Sequence, residues 1–91
     1  MNEPAAPDSL DPRRRRALFR SWHRGTREMD LILGPFADAH LAGLTADELA
    51  QYEALLEQPD TDFYQWITGE RAAPPEVEGA LFQRIRAFAR S

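Results

Sequence analysis

Thr45-Ala46-Asp47-Glu48 spells the start of a helix in four residues. The threonine hydroxyl can take the N–H three residues on, and the glutamate carboxylate can reach back to the threonine N–H. Leu44 and Leu49 flank this capping box as a hydrophobic staple. The helix so begun runs over 46–57, with Leu49, Tyr52 and Leu56 facing inward, and Gln58-Pro59-Asp60 ends it.

The same kind of punctuation divides the rest of the chain. Asp11 is an N-cap and Pro12 a first helical residue, opening a helix to about His23 on which Leu18 and Trp22 share a face. Met29, Ile32, Leu33, Phe36 and His40 recur at steps of three and four, which is a second helix; Pro35 should kink or shorten it and Gly43 stop it. Asp60 or Thr61 caps a short fourth helix carrying Phe63, Tyr64, Trp66 and Ile67, stopped by Gly69. The last helix starts at Pro75 and buries Val77, Leu81, Ile85 and Phe88. No segment alternates with period two. The expectation is an all-α fold, a small five-helix bundle over 11–90, preceded by a disordered tail over 1–10.

Composition narrows the function. With 91 residues, 43% of them apolar, the chain suits one small domain. It has no cysteine, so thiolate chemistry, disulfides and thiolate metal sites are all excluded. No apolar run reaches the roughly 18 residues of a membrane span, and a soluble, cytoplasmic protein is expected. The formal charge of −4 argues against general nucleic-acid binding. Yet all 11 basic residues are arginine, and seven of them lie between Arg13 and Arg27. Arginine's planar fork suits carboxylates and backbone carbonyls. Arg13 to Arg16 sit where a helix dipole disfavours positive charge, which points to an intermolecular contact.

Catalytic constellations are missing. His23 and His40 lack partners at metal-ligand spacing, and His40 reads as structural. Asp60-Thr61-Asp62 has too few oxygens for a calcium loop and is more simply capping. No phosphate cradle or nucleophile elbow occurs, and nothing resembles a dinucleotide site. The expectation is no enzyme, no metal and no cofactor of its own.

One motif remains, Arg24-Gly25-x-x-Glu28, at the junction of the first two helices. Gly25 can be the N-cap of the second helix with Glu28 at its third position reaching back, leaving Arg24 a solvated flank. Alternatively the same geometry exposes a glycine edge between a fork donor and a carboxylate, a two-signed contact surface. On the residues alone both readings are open.

The stretch His23-Arg24-Gly25-Thr26-Arg27-Glu28-Met29-Asp30 resembles the signature of the SdhE family, the flavinylation factors of succinate dehydrogenase, whose mitochondrial members are called succinate dehydrogenase assembly factors. The likeness continues through Pro35-Phe36, the Leu-Thr-x-x-Glu start at 44–48, and Leu55-Leu56-Glu57 leading to Asp60-x-Asp62-Phe63-x-x-Trp66, over roughly 13–88. It implies an assembly factor that binds the flavoprotein subunit of succinate dehydrogenase, and of fumarate reductase in some bacteria; a monomer is the default expectation for such a transient chaperone. Such factors promote covalent attachment of FAD to a client histidine. It also implies client contact at Arg24, Gly25 and Glu28, with Trp22, His23, Arg27 and Asp30 around them. The rival reading is a small helix-turn-helix DNA-binding regulator, which the arginine run and short helices would also suit.

Overall fold

The computed structural model describes residues 10–90, and among these the secondary structure is entirely helical. Helix α1 is Pro12–Trp22, α2 is Arg27–His40, α3 is Ala46–Leu56, α4 is Asp60–Thr68 and α5 is Ala80–Arg90; a 3-10 turn, Leu41–Gly43, follows α2. The expected tail over 1–9 lies outside the described residues. Leu10, assigned to that tail, is buried in the core.

Each start has a local cause. The Asp11 carboxylate accepts the Arg14 N–H at 2.8 Å, with Pro12 at the first helical position. At α3 both halves of the capping box form: Glu48 N–H to Thr45 Oγ1 at 3.1 Å, and Thr45 N–H to Glu48 Oε1 at 2.9 Å. Gly69, left-handed at φ 83°, ends α4. Gly43 falls in the 3-10 turn, and α2 runs on through Pro35 to His40.

Three local expectations are corrected. Thr26, not Gly25, caps α2: its hydroxyl accepts the Met29 N–H, and Glu28 has no bond back to Gly25. Neither Asp60 nor Thr61 caps α4 through its side chain; Pro59 occupies the cap and Asp60 is the first helical residue. The last helix begins at Ala80 rather than Pro75, so Glu76 and Glu78 lie in the preceding turn. The turn holds itself through the Pro74 carbonyl, which accepts the N–H groups of both Val77 and Glu78.

Helices α1 and α2 form an antiparallel hairpin, and α3 and α5 close over it. The core centres on Leu33, Phe36, Leu49, Tyr52, Phe63, Phe82 and Ile85, all at most 1% exposed. The predicted inward residues of the third helix are all there, whereas Phe82 was absent from the predicted stripe of the last. The hairpin is unusually close at one point. A Cβ on Gly34 would fall inside the van der Waals surface of the Trp22 indole, so only glycine admits that ring. The core also holds one polar relay. Ser21 Oγ donates to the Ala17 carbonyl at 2.8 Å, which leaves the Tyr52 hydroxyl to donate to Ser21 Oγ at 2.6 Å. Burial pushes the Tyr52 phenol up to about 12.

Candidate docking surface at the first helix junction

The joint between α1 and α2 is built from inside. Gly25 takes φ 104°, a conformation that L side chains rarely adopt, and this lets the chain reverse between His23 and Thr26. The Arg24 backbone N–H then reaches the Asp30 carboxylate at 2.7 Å, tying the joint to the first turn of α2.

The Arg24 side chain does not face solvent; it is 9% exposed. Its Nε donates to Asp60 Oδ1 at 2.8 Å, Nη1 to the Leu56 carbonyl at 2.5 Å and Nη2 to the Gln58 carbonyl at 2.8 Å. The fork thus neutralises the first residue of α4 while satisfying carbonyls at the open end of α3. The expectation of Arg24 as a solvated flank is corrected. What no local pattern could reveal is that its acceptors lie more than thirty residues downstream.

The same device explains the arginine run. Arg14 donates to the Leu41 and Leu44 carbonyls, at 3.1 and 2.5 Å, around the 3-10 turn. Arg13 forks onto Glu53 of α3 and holds that carboxyl below the usual range, chiefly through this hydrogen bond. Arg15 takes the Leu10 carbonyl, Arg20 pairs with Glu57, and Arg86 reaches the Trp66 carbonyl at the end of α4. Arg13, Arg14 and Arg15, placed against their own helix dipole, are tied to carboxylates and carbonyls outside that helix. Of Arg13 to Arg16, only Arg16 makes no hydrogen bond or ion pair among the described residues, so most of the run is internal stapling.

The seven residues of the sequence-predicted site therefore divide. Arg24, Asp30 and Trp22 turn inward; Trp22 lies on Gly34 and its Nε1 donates to Asp38 at 3.2 Å. His23, Gly25, Arg27 and Glu28 are exposed. Neither Arg27 nor Glu28 has a hydrogen-bond or ion-pair partner among the described residues. Glu28 borders a shallow cleft of about 280 Å³ shared with Thr26, Asp60, Thr61, Tyr64, Gln65 and Glu70. This surface can pair with charges of either sign, and its backbone is fixed before any partner arrives.

Sequence reasoning passed over Asp60 and Gly34. Asp60 read as a cap because acid before a helix normally is one, and Gly34 had no periodic signal at all. Among the described residues no group of three or more His, Asp or Glu side chains is placed to hold a metal. None of the described helices is long and apolar enough to cross a membrane.

Comparison with known proteins gives a consistent result. A family model described as flavinator of succinate dehydrogenase matches residues 15–89. The FAD assembly factor SdhE of Acetobacter pasteurianus is 40% identical over 80 residues, which cover 88% of this chain and 73% of that protein. Succinate dehydrogenase assembly factor 2 (mitochondrial) of Candida glabrata is 41% identical over 71 residues, 78% of this chain and 46% of that protein. Its counterpart in Debaryomyces hansenii is 43% identical over 61 residues, 67% and 43%. The chain thus spans less than half the length of these two yeast relatives.

Proposed function

This chain belongs to the family of flavinators of succinate dehydrogenase, and from that premise we propose that it is an assembly factor, not an enzyme. It binds the flavoprotein subunit of succinate dehydrogenase and promotes covalent attachment of FAD to that subunit. The reacting groups belong to the client and its flavin, and this protein supplies position. Holding the client's domains in one arrangement raises the effective concentration of the reacting pair. Fixed charges at the contact stabilise the charge that develops there. The protein acts as a monomer, in the cytoplasm, and fumarate reductase flavoprotein is a second client.

The observation that supports this reading is the division within the motif. Arg24 and Asp30 pin the joint from inside, while Gly25, Arg27 and Glu28 stand exposed, the two charged side chains without internal partners. A joint needed only for folding has no use for that exposed pair. Gly25, Arg27 and Glu28, with His23 beside them, form the client contact; Arg24, Asp30 and Trp22 hold it in shape. The DNA-binding alternative draws no support, because Arg13, Arg14, Arg20 and Arg24 are already committed to carboxylates.

The test is deletion of the protein followed by in-gel flavin fluorescence of the flavoprotein subunit. Covalent flavin should fall sharply and return with the wild-type chain but not with Glu28→Ala. Unchanged covalent flavin in the deletion would refute the proposal.

A further inference from the structure

The α1 residues left over once the internal staples are subtracted form a coherent face of their own. Phe19 is 63% exposed, the most exposed large hydrophobic side chain among the described residues. It is not loose. Its ring stacks on His23 at 3.9 Å between centroids and 14° between planes. His23 is oriented in turn by Nδ1, which donates to the Phe19 carbonyl at 2.7 Å, since a carbonyl oxygen can only accept. The pair is a preformed aromatic platform, so a partner would lose little rotamer freedom in using it.

Two shallow clefts flank the platform. One, about 460 Å³, is lined by Pro12, Arg15, Arg16, Phe19 and Arg20. The other, about 330 Å³, is lined by Arg15, Leu18, Phe19, Trp22 and His23. Neither lining contains a carboxylate, and α1 itself carries no acidic residue in its first turn. On a chain of net charge −4 this is a cationic face around an exposed aromatic, and Arg16 on it makes no hydrogen bond or ion pair among the described residues, although its charge is felt by Glu53.

We propose that this face of α1, centred on Phe19 with Arg16 and His23, is a second docking surface that takes an acidic segment of the flavoprotein client. That segment would seat an apolar side chain beside Phe19 and set carboxylates against Arg16 and Arg15. Charge complementarity selects this occupant: the Arg16 guanidinium, whose donors make no hydrogen bond among the described residues, calls for a carboxylate, and the apolar cleft floor for a hydrocarbon anchor. The surface adjoins the helix junction through His23, so one partner can engage both. The inference rests on the assembly-factor reading above and adds where, and by what chemistry, the client is held.

The experiment uses the full chain and the purified apo flavoprotein subunit, with affinity measured by titration calorimetry at low and moderate salt. Phe19→Ser and Arg16→Glu should each weaken binding about tenfold or more, with unchanged thermal midpoints because both side chains are exposed. Arg16→Glu should also flatten the salt dependence. If both variants bind within about twofold of wild type while Glu28→Ala does not, this inference fails and the assembly-factor reading stands. If the wild-type chain does not bind the subunit at all, both fail. Binding of mixed-sequence single-stranded RNA that Phe19→Ser abolishes, with client affinity intact, would make the face a nucleic-acid surface and overturn the proposal.

Discussion

Arg24 Nε meets Asp60 Oδ1 at 2.8 Å across 36 residues of chain, joining the turn after α1 to the first residue of α4. A motif arginine at an exposed junction thereby becomes part of the tertiary framework. Its variants should be read first as changes to the fold.

Arg24→Ala should lower stability by about 3 kcal/mol, since it leaves a part-buried carboxylate and two carbonyls unmet. For a domain of this size that is a fall of roughly 10–20 °C in thermal midpoint. Arg24→Lys should recover only part, because one ammonium cannot serve three acceptors lying in different directions. Thermal melts of the two variants decide the matter; an unshifted midpoint for Arg24→Ala would return Arg24 to the contact surface.

Gly25 and Glu28 should separate cleanly. Gly25→Ala has room for its Cβ, the nearest atom being Asp60 Oδ2 at 3.8 Å, but the φ of 104° is strained for alanine by about 1–3 kcal/mol. Glu28→Ala should change stability by less than about 0.5 kcal/mol and still lose client binding. Chemical denaturation run beside a pull-down of the flavoprotein subunit tests both. Loss of cooperative unfolding in Glu28→Ala would mean that its role is structural after all.

Gly34→Ala should displace the Trp22 indole and cost about 1–3 kcal/mol through overpacking. Trp22 would also lose its bond to Asp38. A red shift in tryptophan emission together with a lower urea midpoint is the expected result, and a wild-type spectrum and midpoint would show that the hairpin has slack here.

The alkaline limb of stability should belong to Tyr52. Its folded-state pKa, raised by burial to about 12, lies above the ordinary phenol value of about 10. The native state therefore holds the proton more tightly, so this stabilisation is complete below pH ~10 and is lost as pH rises through about 12. Tyr52→Phe should flatten that limb and cost about 1 kcal/mol at neutral pH through the lost bond to Ser21. Unfolding free energies from pH 8 to 12, for wild type and variant, would sink the assignment if both curves fell alike.

The acid limb should follow Glu53 and Asp11. Both are held below their ordinary values, Glu53 by its bond from Arg13 and Asp11 by the Arg14 backbone N–H. Depressed folded pKa values contribute stability that is present above the ordinary carboxylate pKa, ~4, and is lost as pH falls through the folded values. Arg13→Ala should therefore reduce the acid-side slope measured between pH 5 and 2, and an unaltered slope would exclude the pair.

What the amino-acid order determined by itself was local. Asp11, Thr45 and Gly69 act within three or four residues of where they stand, so capping chemistry and helical period were enough to place helices α1, α3 and α4 to within a residue or two. The resemblance in 23–30 and 44–66 likewise identified the family without any coordinates. The start of α5 was misread because Pro75 can open a helix, but the turn over 75–78 closes on Pro74 instead. Only the tertiary structure could divide the motif. Arg24, Gly25 and Glu28 lie within five residues, yet one reaches acceptors across α3 and α4, one is set by its own backbone angle, and one is left to solvent. Which of them faces out depends on where Leu56, Gln58 and Asp60 arrive, a matter of packing between helices. The short-range rules that write a helix start carry no term for it.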